Sequence, residues 1–116
     1  MKENSKLICK EIESVLIDNK GSNITKINLD KKSSIADFKI ICSGTSSRHV
    51  ISLSNHLMVS LKKKELKTLN VEGKSNGDWV LVDAGDVIVH LFKTEVRDYY
   101  ALEKMWIDIE SESDAK

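Results

Sequence analysis

The chain has 116 residues, enough for one domain with a real core and too few for two. Its 18 Lys and Arg balance 18 Asp and Glu, so no large positive field exists to bind nucleic acid generically, and a partner must be recognised by local pattern. The amino-terminal stretch has no apolar run of signal-peptide length and too many acids for a transit peptide, and no later segment is long and apolar enough to span a membrane. Cys9 and Cys42 match no metal-ligand spacing and read as reduced core thiols, a cytoplasmic pattern.

Residues 5–19 set Leu7, Ile8, Ile12, Val15 and Leu16 on one stripe of a helix, which Gly21 stops. "NITKINLD" alternates imperfectly and predicts an edge or half-buried strand, whereas "ADFKIICSG" predicts a more buried one. Thr45 or Ser46 then caps a second helix with Val50, Leu53, Leu57, Met58 and Leu61 at helical spacing. "KKK" at 62–64 is a solvated helix end favoured by the dipole. "LKTLNVEG" is a short strand, "KSNGD" a turn, and "WVLVDAGDVIVHLF" two strands. "TEVRDYYALEKMWIDIE", capped by Thr94, is a final helix with Tyr100 and Trp106 as core residues. The domain therefore covers residues 1–110, and residues 111–116 form a solvated tail.

This order predicts a single α+β domain with a mixed five-stranded sheet and flanking helices. "ADFKIICSG" leading through a helix into "LKTLNVEG" is a βαβ crossover, so those strands run parallel and the crossover is right-handed. The closing hairpin is antiparallel. With Ala84-Gly85 as its loop, Asp83 stands opposite Asp86, Leu81 opposite Ile88 and Trp79 opposite His90. Val80, Val82, Val87, Val89 and Leu91 then fill a purely aliphatic core face. The other face mixes an aromatic, two aliphatics, an imidazole and two opposed like charges, which is the make-up of a docking surface.

Asp83, Asp86 and His90 do not form a metal site, since Asp86 and His90 lie about 13 Å apart along one strand at the usual rise. No Gly-x-Ser-x-Gly or Cys-His arrangement supports nucleophilic catalysis. His49 and His56 read as packing or rim residues. The competing reading is a minimal nucleotidyltransferase, which holds a triphosphate at a Gly-Ser helix start and magnesium between carboxylates one residue apart on a strand. "SGTSS" supplies the first part, but Asp83 and Asp86 have the wrong spacing for the second. A free-standing RNA-binding module lacks its basic stripe and aromatic platform.

"DFKIICSGTSSRHV", "VEG", "DWVLVDAGDVIVHLF" and "EVRDYYALEKMW", in this order, resemble the signature segments of the ribosomal silencing factor family, also called Iojap-related proteins. The resemblance covers about residues 5–108. It implies a nucleotidyltransferase-like fold and a bacterial or organellar factor that is not an enzyme and needs no cofactor. It also implies a partner, the large-subunit ribosomal protein fourteen, whose occupation blocks joining of the small subunit when nutrients are short. Neither a membrane nor free nucleic acid is implied as a partner, and a tendency to homodimerise is. The family's partner surface involves the block matching Trp79 to Asp86, which coincides with the mixed face of the hairpin, and the two together give the expected contact set Trp79, Leu81, Asp83, Ala84, Asp86, Ile88 and His90. The chain departs at Ala84, where the family usually carries a bulkier leucine or tyrosine, and it contains no proline.

Overall fold

A computed structural model of the protein describes residues 2–29, 36–65 and 70–96. Among these, helix α1 (Lys2–Asp18) is followed by strands β1 (Ser22–Asn28) and β2 (Phe38–Gly44) and helix α2 (Ser47–Lys63). Strands β3 (Asn70–Glu72), β4 (Trp79–Asp83) and β5 (Val87–Lys93) complete a mixed five-stranded sheet in the order β1-β2-β5-β4-β3. The predicted third helix, its core residues Tyr100 and Trp106, and the tail at 111–116 lie outside the described residues, apart from a helical turn at 94–96.

On α1, the 3.6-residue period buries Ile8, Cys9, Ile12 and Leu16. Leu7, expected on that stripe, points outward and is 64% exposed. The helix ends with Lys20 at φ +67 and Gly21 N–H donating to Leu16 O at 2.7 Å. Gly21 is needed there for space, because a Cβ would lie 2.5 Å from Cys42 Sγ. Ser46 is the N-cap of α2, its side chain accepting from His49 N–H at 3.1 Å. Val50, Leu53, Leu57 and Leu61 of α2 are buried, while Met58 is half-buried. Both cysteines are free and buried, and burial pushes the Cys9 thiol up to about 11.

The crossover differs from expectation in its destination. β2 pairs in parallel with β5, in register from Phe38↔Val87 to Gly44↔Lys93. β3 pairs only at the far edge, antiparallel to β4. β2 and β3 do run in the same sense, but β5 and β4 lie between them. β5 takes the inner place because almost all of it is apolar, whereas β3 is three residues long and exposed at both ends.

Both helices pack on one face of this sheet, where Phe38, Ile40, Cys42, Val80, Val82, Val87, Val89 and Leu91 form one buried cluster with them. Replacing Val89 with alanine removes two methyl groups from a fully buried site. Val89→Ala should lower the unfolding free energy by about 1 to 3 kcal/mol, measured by urea denaturation.

Candidate functional site

The β4–β5 hairpin presents its second face away from the helices. Its register pairs Trp79 with Phe92, Leu81 with His90 and Asp83 with Ile88. Ala84 N–H donates to Val87 O at 2.9 Å, so the connection is Gly85-Asp86 and not Ala84-Gly85. Gly85 takes the positive φ of +84 that this tight turn demands. Each expected pair is thereby displaced by two residues. Because side chains alternate with a period of two, the two faces keep their membership while the cross-strand partners change.

The opposed Asp83–Asp86 pair is thereby dissolved. Asp83 stands beside Ile88 and turns Oδ1 to accept the Gly85 N–H at 2.9 Å, an Asx-type contact that shapes the turn. Asp86 belongs to the connection, and its carbonyl accepts from Asp37 N–H at 2.8 Å and Phe38 N–H at 3.2 Å, which pins the turn to the start of β2. Ala84 also departs from the expected arrangement. It is 6% exposed and packs into the helix-facing core, so its methyl is not part of the mixed face.

Five of the seven expected residues are accessible to some degree: Trp79 is 38% exposed, and Leu81, Asp83, Asp86 and Ile88 are half-buried. His90, on the same face, is only 2% exposed. The Trp79 indole packs on Phe92 with ring centroids 4.8 Å apart at 44°, and its Nε1–H donates to His90 Nδ1 at 3.1 Å. His90 in turn lies parallel to Phe92, centroids 5.9 Å apart at 5°. Burial, together with the nearby positive charge of Lys39, lowers the His90 pKa to about 3, so the ring is neutral and able to accept.

Phe92 and Lys39 were missing from the expected set. Phe92 shares its face with His90 by the two-residue alternation inside the same strand, a signal already present in "VIVHLF". Lys39 joins through the parallel register with Ile88, which depends on a long-range pairing. The other helix-start features are structural. His49 Nδ1 accepts from Thr45 N–H at 2.9 Å and its Nε2–H donates to Asn19 O at 2.9 Å, tying the end of α1 to the start of α2. Ser47 Oγ donates to Asp78, which is also paired with Lys93 at 3.2 Å. Among the described residues, no three His, Cys, Asp or Glu side chains are grouped so as to hold a metal ion.

The family model described as "Ribosomal silencing factor during starvation" matches residues 2–116. The chain belongs to the ribosomal silencing factor family. The Haemophilus influenzae ribosomal silencing factor is 44% identical over 87 residues, which cover 75% of this chain and 85% of that protein. A crystal structure of a Chromobacterium violaceum protein superposes with a TM-score of 0.83 at 40% identity, covering 87% of this chain and 84% of that one. At greater distance, the mouse "Mitochondrial assembly of ribosomal large subunit protein 1" is 32% identical over 96 residues, covering 80% of this chain and 42% of that protein. In this silencing-factor chain, no helix among the described residues is long and apolar enough to cross a membrane.

The state of His90 has a measurable consequence. Its pKa of about 3 in the fold lies below the ordinary value of 6.5, so between these limits the unfolded chain takes up a proton that the folded chain refuses. Stability should therefore fall as pH falls through that window, by at most about 1.4 kcal/mol per pH unit for one group, and be indifferent to this group above it. Urea denaturation of the wild type and His90→Asn across pH 4 to 8 should show a shallower acid slope in the variant and matching slopes above pH 7.

Proposed function

We propose that the protein docks on the large ribosomal subunit through its mixed β4–β5 face, with the large-subunit ribosomal protein fourteen as the partner. Occupying that site keeps the small subunit from joining and so represses translation when nutrients are limited. It acts in the cytoplasm by steric exclusion, without cofactor or catalysis, and tends to form a homodimer. The observation that carries this reading is the half-exposed Trp79 at one end of a row that continues through Leu81 to Asp83 and Ile88 on the sheet face opposite the helices, in a chain that matches the silencing-factor model along its length.

Physical chemistry favours that face. An aromatic residue flanked by aliphatics, with carboxylates at one end, is a common form of interface anchor, and the carboxylates complement the Lys and Arg of a basic ribosomal protein. The name of the mouse relative, which concerns assembly of the large ribosomal subunit, supports the choice of subunit. The turn geometry supports a role without catalysis, because Asp83 is engaged by the Gly85 amide rather than paired with a second carboxylate.

Sedimentation with purified large subunits, small subunits and whole ribosomes should recover the protein selectively with the large subunit, and equal recovery with small subunits would overturn the reading. Trp79→Ala should weaken large-subunit binding by about 2 kcal/mol, the usual hot-spot size, with the fold intact. Asp83→Asn together with Asp86→Asn should mainly slow association and flatten its salt dependence. Kinetics on immobilised large subunits at several salt concentrations would check both, and unchanged rates in both variants would move the contact to another face.

A further inference from the structure

We infer that His90 is the positioning residue of the docking face, holding the Trp79 indole from its side in the orientation in which it meets the partner. The inference rests on the reading of this face as the ribosome contact and assigns His90 a role different from touching the ribosome. At 2% exposure it cannot form much of a contact surface, whereas its diagonal neighbour Trp79, at 38%, can.

The geometry is specific. Trp79 is the first residue of β4, two residues after Gly77, where the chain has only begun to pair. A half-exposed indole there would ordinarily leave its N–H to water and sample several rotamers. Three contacts within the hairpin oppose this. Phe92, the direct cross-strand partner, packs against the ring at 4.8 Å, and His90, the diagonal partner, lies 6.0 Å away at 49°. The third is the 3.1 Å bond from Nε1–H to Nδ1, which selects one indole orientation out of those that stacking alone would allow. The acceptor is itself held, since the His90 ring lies flat over Phe92.

The residue type follows from this task. The position needs a flat ring to continue the stack and an acceptor at its edge, and a neutral imidazole supplies both. Phenylalanine would supply only the stack. Burial and the Lys39 charge keep the proton off the ring, so the acceptor is present throughout the neutral pH range. An anchor fixed before contact loses less rotamer freedom on binding, and the order of this gain is about three- to tenfold in affinity.

The test follows the indole N–H and the binding together. Nuclear magnetic resonance of the full-length chain resolves the indole N–H signals, and Trp79→Ala identifies which belongs to Trp79. His90→Phe should move that signal and accelerate its hydrogen exchange. It should also weaken large-subunit binding about three- to tenfold at temperatures well below unfolding, the range expected for losing one hydrogen bond and its ordering. His90→Asn, whose Oδ1 can replace Nδ1 as acceptor although it lacks the ring, should bind more tightly than His90→Phe and slow the indole N–H exchange again, which a merely space-filling role for His90 would not produce. An unmoved indole signal in His90→Phe, or a freed indole with wild-type binding, overturns the inference, and the docking reading then survives provided Trp79→Ala binds weakly. Wild-type binding by Trp79→Ala removes the docking reading and the inference with it. If His90→Phe does not fold, Trp79→Phe serves instead: this surface change keeps a ring and deletes the donor, and its binding must weaken by a similar factor, with wild-type binding again overturning the inference.

Discussion

The parallel pairing of β2 with β5, unbroken from Phe38↔Val87 to Gly44↔Lys93, sets what every other element must do. Parallel neighbours need a long connection, and here the whole of 45–86 supplies it, carrying α2, β3 and β4. Since β2 occupies one side of β5, β4 must pair on the other and β3 beyond it. Both ends of the central pair are fastened. The Asp86 carbonyl receives the Asp37 and Phe38 amides at one end, and Thr94 Oγ1 donates to the Gly44 carbonyl at 3.1 Å at the other.

That arrangement divides the sheet chemically. On the helix side, Ile40, Cys42, Val80, Val82, Val87, Val89 and Leu91 meet the apolar stripes of α1 and α2, and burial of these side chains supplies the main driving force. On the opposite side the same strands carry Lys39, Ile41, Leu81, Asp83, Ile88, His90, Phe92 and Trp79. An aliphatic side that packs on the helices is paired with a mixed side that carries the partly exposed Trp79. Ile41 and Phe92 are fully buried within the mixed side, so its centre is firm and Trp79 rests on a fixed base.

Much of this was legible in the residues, for reasons that can be separated. Strand alternation in "WVLVDAGDVIVHLF" assigned both faces correctly because face membership survives a two-residue displacement, whereas the partners do not. The turn was misplaced because Ala84-Gly85 and Gly85-Asp86 are both short connections around one glycine, and the deciding bond, Ala84 N–H to Val87 O, is local backbone geometry. Ala84 entered the contact set through the family block from Trp79 to Asp86, but as the last residue before the turn it continues the core alternation of Val80 and Val82. The crossover's destination was hidden because sequence neighbours favour β3, while burial favours β5. The family was legible through several ordered blocks together. The bond between Trp79 and His90 was not, since it is a diagonal contact that requires the true register.

The central claim is that the side of the sheet opposite the helices meets the large ribosomal subunit. Hydroxyl-radical footprinting of the full chain, free and bound to purified large subunits, addresses it side chain by side chain. The account predicts that Trp79, Leu81 and Ile88 lose reactivity on binding, while Leu7, Ile17 and Val59, exposed on the helices, keep theirs. Protection of the helix residues with Trp79 left reactive would contradict it.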